Sequence, residues 1–151
     1  IFKKSHWSRW IWYKNNKTGI DLMKKKYLVV LADYYHDVAA GLLKSALKNI
    51  PKGNIVKIIR VPGAFEIPVT ISKNLRKYDA FIALGCVIKG QTPHFDFISY
   101  SSINAIMNMS VESKKPIGNG IITCLNMAQA KARKGKGAEA AKAVVSVLSQ
   151  K

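Results

Sequence analysis

Residues 79–96, DAFIALGCVIKGQTPHFD, have the pattern of a strand, a turn and the start of a helix, in that order. The apolar run predicts a strand over Asp79–Val87, because it is short and bounded by breakers. Gly90 and Pro93 interrupt the run, and we expect Thr92 to cap the next helix with Pro93 at its first position. That helix is expected to continue to about Glu112.

The same alternation of strand and helix extends on both sides of this stretch. Apolar residues recur at helical spacing in some segments and form strand-sized runs in others. The predicted strands are Tyr27–Ala32, Ile55–Val61 and Ile117–Thr123, and the predicted helices are Asp37–Ile50, Ala64–Leu75, Asn126–Arg133 and Gly137 to the end. Ala138, Ala141, Val144, Val145 and Leu148 form the apolar face expected for the last helix.

This order of elements predicts one α/β fold. Strands that alternate with helices form βαβ units, and right-handed crossovers place helices on both faces of a parallel sheet. We therefore expect a three-layer α/β/α sandwich of the flavodoxin-like type with a central four-stranded parallel sheet. Ligands of such sheets bind at the carboxyl ends of the strands, so the strand-to-helix loops are where a site is expected.

Composition indicates one soluble domain. The chain has 151 residues, 48% of them hydrophobic, which suits a single packed core. No apolar run reaches the ~18 residues that a membrane helix needs, and the first twenty residues lack the apolar region of a secretory signal. Cys86 and Cys124 are expected to be reduced thiols of a cytoplasmic protein, and too few Cys and His cluster to predict a metal site.

The net charge of +17 is the most unusual feature of the composition. It favours anionic partners such as nucleic acid, a membrane surface or phosphorylated metabolites. Residues 1–26 contribute eight cations against Asp21 alone, and they hold Trp7, Trp10 and Trp12. We interpret this segment as an extension of the domain at residues 27–151, with Met23 as the expected start. A basic arm for nucleic acid or membrane is the alternative.

Residues in two of the strand-to-helix loops and in the turn before the last helix are candidates for function. Glu66 follows Pro62-Gly63 in the first turn of a predicted helix, where it is either a capping charge or an acceptor for a polyol. His94 is expected at the mouth of the sheet, where it is either a surface histidine or a general acid/base. Arg133 lies in a charged turn that is either solvated or a phosphate clamp. His6 and His36 lack such a setting and are expected to be solvent-exposed.

Three stretches resemble the signature stretches of the 6,7-dimethyl-8-ribityllumazine synthase family. They are Val61-Pro62-Gly63-Ala64-Phe65-Glu66-Ile67-Pro68, the longer run from Ala83 to Asp96 (ALGCVIKGQTPHFD), and Lys136-Gly137-Ala138-Glu139-Ala140-Ala141. Their order and spacing fit the family from about Tyr27 to the end of the chain.

The resemblance implies roles for individual residues. Tyr34 resembles the aromatic residue that stacks on the uracil ring, although Phe or Trp is more usual there, and His94 resembles the proton-transfer residue. Lys136 resembles a lysine that reaches the ribityl or pyrimidine region. Asn119 lies where many members place a phenylalanine that covers the neighbouring subunit's site. The remaining residues form three groups: Ala64, Phe65 and Glu66 for the ribityl chain; Cys86, Val87 and Ile88 for the pyrimidine; and Gly90, Gln91, Thr92 and Arg133 for phosphate. The Arg133–Lys136 segment is shorter than in many members.

The resemblance also implies the reaction and the assembly. The family condenses 5-amino-6-ribitylamino-uracil with 3,4-dihydroxy-2-butanone 4-phosphate in riboflavin biosynthesis, without cofactor or metal. Its members are homo-oligomers built on pentamers, with active sites shared between adjacent subunits. We therefore expect small-molecule substrates and neither a membrane nor a nucleic-acid partner. The rivals are a basic nucleic-acid-binding protein, a flavin or nucleotide carrier without catalysis, and a scaffold shell.

Overall fold

The computed structural model describes residues 24–151, so the interpretations of residues 1–23 and of Met23 lie outside the described residues. The strands are β1 (Lys26–Ala32), β2 (Ile55–Val61), β3 (Ala80–Ile88) and β4 (Ile117–Cys124). The α-helices are α1 (His36–Leu47), α2 (Ile67–Asn74), α3 (His94–Ser113), α4 (Met127–Ala132) and α5 (Lys136–Leu148). Every strand and helix predicted from the sequence is present.

The four strands form one parallel sheet in the order β2-β1-β3-β4. β1 and β3 are the central pair, and Val30 of β1 lies opposite Ala83 of β3. Four consecutive residues of β1, from Leu28 to Leu31, are fully buried, because helices cover both faces of the sheet. The predicted flavodoxin-like three-layer sandwich with a four-stranded parallel sheet is confirmed.

Two apolar layers hold the sandwich together. Alternate residues of each central strand point to opposite faces, so Val29 and Leu31 of β1 pack towards α1 and α5, whereas Leu28 and Val30 pack towards α2 and α3. Pro62-Gly63 ends β2 and Gly90 follows β3, so the loops after the central and edge strands open at the same side of the sheet. That side is where a ligand of such a sheet binds.

The approach of α5 to α1 depends on Gly137. A Cβ atom added to Gly137 would lie 2.0 Å from the carbonyl oxygen of Leu42 and 2.6 Å from Oγ of Ser45. Ser45 also donates a hydrogen bond from Oγ to the carbonyl of Lys134 at 3.0 Å. The helices are therefore in backbone contact at the start of α5, which fixes the turn that carries Arg133 and Lys136.

The structure corrects local details of three predictions. The helix predicted over Ala64–Leu75 is a 3₁₀ turn, Ala64–Glu66, followed by α2. Pro93 occupies the cap of α3 instead of its first position, and Oγ1 of Thr92 accepts only a long 3.4 Å bond from the His94 N–H. Along α5, Ala140 is buried and Ala138 only half-buried, because the interhelical contact is centred on Gly137.

Candidate active site

A pocket of about 590 Å³ opens at the carboxyl ends of the strands. It is bounded by the loop after β1, the loop after β2, the end of β3 and the start of α3. Eight residues predicted from the sequence line it: Tyr34, Ala64, Phe65, Glu66, Cys86, Val87, Ile88 and His94. Tyr35, Pro62, Gly63 and Ile98 complete the lining.

Two exposed aromatic side chains, Tyr34 and Phe65, lie at the mouth of this pocket. Tyr34 is 68% exposed, and its ring meets the ring of Tyr35 edge to face, with centroids 4.9 Å apart. Tyr35 is half-buried against the core, so it supports the exposed ring of Tyr34. Phe65 is 64% exposed and also lines the pocket. A planar, partly apolar ligand would remove these exposed rings from water.

Glu66 forms part of the floor beside the 3₁₀ turn. Its Oε2 atom accepts a hydrogen bond from the Gly63 N–H at 3.0 Å, so the predicted capping interaction is present. One carboxylate oxygen is engaged in this way, and no hydrogen bond within residues 24–151 occupies Oε1. A carboxylate has about four acceptor positions, so Glu66 can cap the turn and still accept bonds from hydroxyl groups in the pocket.

The end of β3 supplies an apolar wall. Burial raises the pKa of the Cys86 thiol to about 12, and the neighbouring Cys124 thiol adds to this effect. Cys86 is therefore a neutral thiol at physiological pH and is not an activated nucleophile. Both cysteines are free, as predicted. β1 stops pairing with β3 at Leu84, so the backbone N–H and C=O groups of β3 beyond that point are free on the β1 side. They are the polar groups that this wall offers to a ligand.

His94 is the first residue of α3 and lies at the rim of the pocket, with its side chain exposed. At this position the His94 N–H makes only the long bond to Thr92, and the N–H groups of Asp96 and Phe97 donate to the Pro93 carbonyl. The exposed imidazole at the rim is therefore accessible to a ligand in the pocket. The predicted position at the mouth of the sheet is confirmed.

The other predicted residues lie outside the lining of this pocket. Nη1 of Arg133 donates to the Thr123 carbonyl at 3.2 Å, and Nζ of Lys136 pairs with Glu139 at 3.1 Å. Asn119 is exposed near the start of edge strand β4, far along the strand from the pocket mouth, and its Oδ1 accepts a bond from the Ile121 N–H. The loop residues are all exposed: Gly90, Gln91 and Thr92.

An ion-pair cluster beside the pocket was not predicted. Asp33, the first residue after β1, accepts hydrogen bonds from Nδ1 of His36 at 2.8 Å and from Nη1 of Arg60 at 3.0 Å. These bonds, with that from His36 first, hold the pKa of the Asp33 carboxyl below its usual range. His36 is exposed, as predicted, but it is paired. The only sequence signal was an acidic residue opening a strand-to-helix loop.

Comparison with known proteins agrees with the geometry. A family model described as 6,7-dimethyl-8-ribityllumazine synthase matches residues 24–151. Proteins named 6,7-dimethyl-8-ribityllumazine synthase are similar over most of their length. The protein from Cutibacterium acnes is 39% identical over 87% of this chain and 85% of its own. The one from Agrobacterium fabrum is 41% identical over 86% and 97%, and the one from Methylorubrum populi is 43% identical over 83% and 82%.

The chain belongs to the 6,7-dimethyl-8-ribityllumazine synthase family. Two of the three stretches that resemble the lumazine synthase family, 61–68 and 83–96, border the pocket. The third, 136–141, begins α5 and lies beyond the lining. No three His, Cys, Asp or Glu side chains between residues 24 and 151 are grouped so that they could hold a metal ion. No helix in that same range is long and apolar enough to cross a membrane.

Proposed function

We propose that the pocket synthesises 6,7-dimethyl-8-ribityllumazine from 5-amino-6-ribitylamino-uracil and 3,4-dihydroxy-2-butanone 4-phosphate, as a step of riboflavin biosynthesis in the cytoplasm. The observation that carries the proposal is that the two long lumazine synthase stretches meet around one pocket. That pocket offers aromatic rings, a carboxylate and a rim histidine to the same ligand.

The residues that line the pocket suggest one orientation for the uracil substrate. Its ring stacks on Tyr34, and its polar edge meets the backbone at Cys86, Val87 and Ile88. The ribityl chain lies along Ala64 and Phe65 and donates hydroxyl groups to Glu66. Support for this orientation comes from the single engaged oxygen of Glu66, which leaves acceptor positions free for a polyol.

The chemistry needs positioning and proton transfer. The 5-amino group of the uracil forms a Schiff base with the ketone and releases one water, and phosphate is then eliminated. The ribitylamino nitrogen attacks the remaining carbonyl carbon, and ring closure releases a second water. No net oxidation occurs, so the reaction needs no oxidant or reductant. Proton transfers are then the steps in which side chains of this chain take part. Holding two reactants in place can lower the barrier by ~7–11 kcal/mol. His94, at the rim where the sugar phosphate enters, accepts and returns the protons, which contributes ~10²–10⁴-fold.

The phosphate of the sugar is held by the loop at Gly90, Gln91 and Thr92 together with Arg133. The N–H groups before α3 and a guanidinium favour a dianion there. Arg133 uses one of its five N–H donors on Thr123, which leaves others for phosphate oxygens. Lys136 approaches the ribityl region once its weak surface pair with Glu139 is broken.

Neighbouring subunits complete this site in a pentamer-based assembly. One face of α3 carries exposed Phe97, Tyr100, Met107 and Val111 at helical spacing, a face that a monomer would leave in water. Edge strand β2 exposes Ile55 and further apolar residues beside it. Burial of both surfaces between subunits would remove them from water, and the resemblance to the family implies that Asn119 of one subunit then lies near the pocket of the next.

The assembly is tested by native mass spectrometry of the full chain and of Met107→Lys. We expect multiples of five subunits for the natural chain and smaller species for the variant, because a lysine on the α3 face would be buried against apolar side chains. Lys44→Met, at an exposed position of α1 on the face of the sheet opposite α3, is the control that should assemble normally. A monomeric natural chain would contradict the proposed assembly.

The reaction is tested by mixing the purified full chain with both substrates and following lumazine fluorescence. Phe65→Ala is the matched variant, because Phe65 lines the pocket yet is exposed, so its loss should weaken substrate binding with little effect on folding. Product from the natural chain with a raised KM for the variant supports the proposal. Tight flavin binding without product would favour the carrier instead.

A further inference from the structure

The amino ends of the four strands lie on the side of the sheet opposite the pocket. We call this surface the amino edge, and hydrogen bonds join the segments that form it. The N–H of Lys25 donates to Oδ1 of Asn54 at 2.9 Å, and the N–H of Lys26 donates to Oδ2 of Asp79 at 2.8 Å. Nζ of Lys115 donates to the carbonyls of Leu75 and Tyr78 at 2.7 and 2.9 Å. These bonds join the segments that lead into all four strands, so this amino edge behaves as one rigid unit.

Exposed cations cover the amino edge. Eight belong to the segments entering the strands or to the helix ends beside them: Lys24, Lys26, Lys48, Lys52, Lys73, Arg76, Lys77 and Lys114. Within residues 24–151, none of these eight makes an ion pair, and the carboxylates at this edge are Asp79, which accepts the Lys26 N–H, and exposed Glu112. The ion pairs of Asp33 and Asp37 lie towards the pocket side of the sheet, and the Lys136–Glu139 pair lies on the first turn of α5.

Favourable interaction with helix ends explains only part of this charge. Lys48, Lys73 and Lys114 lie at or beside the carboxyl ends of α1, α2 and α3, where the helix dipole stabilises a cation. Arg76 and Lys77 follow the cap of α2 by one and two residues, whereas Lys24, Lys26 and Lys52 have no helix end of this kind beside them. Neighbouring like charges also repel one another. Lys115, by contrast, is tied to backbone carbonyls, so the edge holds a structural cation as well as the unpaired ones.

We propose that the amino edge binds the phosphate backbone of nucleic acid without sequence preference. The cations extend across the segments that enter β2, β1, β3 and β4, a span of roughly 14 Å at ~4.8 Å between strands, which suits several successive phosphates of a polymer. Neutralised phosphates release counterions, which supplies the free energy of binding. The proposal assigns a use to the excess charge that the synthase reaction does not need, and it reverses the expectation that nucleic acid is not a partner.

A membrane surface fits this edge less well. Helices and loops that bind the membrane interface insert large apolar side chains beside their cations. The exposed large apolar residues near the amino edge in the described part of the chain are Leu47, Ile55, Val56, Val111 and Val147, none of them aromatic. Ile55, Val56 and Val111 belong to the β2 and α3 surfaces proposed to contact neighbouring subunits. A polymer that contacts only charges and backbone is therefore the better match.

The test compares two variants of the full chain that have the same net charge. The edge variant carries Lys26→Gln, Lys52→Gln, Lys77→Gln and Lys114→Gln, one change for each strand. The control variant carries Lys44→Gln, Lys57→Gln, Lys89→Gln and Lys131→Gln, which are exposed cations elsewhere. The cations of residues 1–23 are identical in both. Binding to a fluorescent 20-nucleotide oligo-deoxythymidine is measured by anisotropy between 50 and 300 mM salt.

The edge variant should bind at least tenfold more weakly at 50 mM salt than the natural chain. The slope of log K against log salt should become shallower by about 2–3, since each lost contact to a single strand removes ~0.7. The control variant should remain within about threefold of the natural chain with an unchanged slope. If the fourfold variant has a lowered Tm, the double variant Arg76→Gln with Lys77→Gln, in one exposed turn, replaces it. Its slope of log K against log salt should change by about half as much.

Three results would overturn the proposal: no binding by the natural chain at 50 mM salt, equal losses in the two variants, or tighter binding to phosphatidylserine vesicles that the oligonucleotide does not displace. Lumazine formation by the edge variant is measured alongside. It should match the natural chain, because the amino edge lies across the sheet from the pocket. Failure of the nucleic-acid site and failure of the synthase reaction are thus separate outcomes.

Discussion

Oδ2 of Asp33 lies 3.0 Å from Nη1 of Arg60, and the Asp33 N–H donates to the Val61 carbonyl at 2.9 Å. Asp33 precedes the two tyrosines at the pocket mouth, and Arg60 lies just before the Pro62-Gly63 wall. One aspartate therefore fastens two walls of the pocket together through its side chain and its backbone.

Replacing Asp33 by Asn should loosen the wall that carries Tyr34. We expect the KM for the uracil substrate to rise severalfold, with kcat within about twofold, because the reacting groups are untouched and only binding is weakened. Arg60→Met should have the same effect. Steady-state kinetics of the two single variants and the double variant provide the check, since contacting partners give non-additive effects. Fully additive effects would show that the pair does not act as a unit.

The ion pairs of Asp33 with His36 and Arg60 should make the stability of the chain depend on pH. Hydrogen bonding to His36 and Arg60 lowers the pKa of Asp33 in the folded chain, so its stabilising contribution is present above the usual carboxyl range and is lost as pH falls through the lowered pKa. The difference in Tm between the natural chain and Asp33→Asn should be full at pH 6 and should shrink below about pH 4. Melting curves between pH 3 and 7 measure it. A difference that grows on acidification would show the opposite sign.

Removing the His94 imidazole should slow turnover without unfolding the chain. We expect His94→Ala to lower kcat about 10²-fold, the lower end of what acid–base groups contribute, because the side chain is exposed and makes few packing contacts. The pH dependence of kcat/KM should flatten in the variant. Circular dichroism serves as the folding control. A kcat like that of the natural chain at several pH values would eliminate the proton-transfer role.

Arg133→Ala should weaken the sugar phosphate far more than the ribitylamino-uracil, which carries no phosphate. Each charge-assisted bond to phosphate is typically worth ~1.5–3 kcal/mol, so the KM for the sugar phosphate should rise roughly 10–100-fold. Lysine at this position should rescue only partly, because it keeps the charge and loses the fork of donors. Raised inorganic phosphate should compete with the sugar phosphate alone. Equal increases in both KM values would remove Arg133 from the phosphate site.

A matched pair of glycines tests the packing of α5 on α1. Gly137→Ala would place a Cβ 2.0 Å from the Leu42 carbonyl oxygen, so the helices must separate, at a cost of about 1–3 kcal/mol. Gly135→Ala, two residues earlier, meets nothing within 4 Å and has an ordinary helical φ of -75°. We expect a clear fall in Tm for the first and no fall for the second. Similar melting temperatures for both would mean that this contact is not tight.

The sequence by itself determined the order of elements, the parallel sheet and most of the pocket lining. The strand over Ile55–Val61 was predicted to the residue, because periodicity and breakers act locally along the chain. Glu66 and His94 were found for the same reason: each adjoins a strand-ending loop within a recognisable stretch. Loop residues next to strand ends reach one side of a parallel sheet whatever the details of packing.

Only the tertiary structure decided which distant side chains meet. The contacts of Asp33 with Arg60, of Cys86 with Cys124 and of Tyr35 with the pocket join segments whose separation in sequence carries no periodic signal. The crowding of unpaired cations at the amino edge is likewise invisible in a linear charge count. Lysines 26, 52, 77 and 114 are far apart in the chain, and they share a surface because every strand of a parallel sheet begins at the same edge.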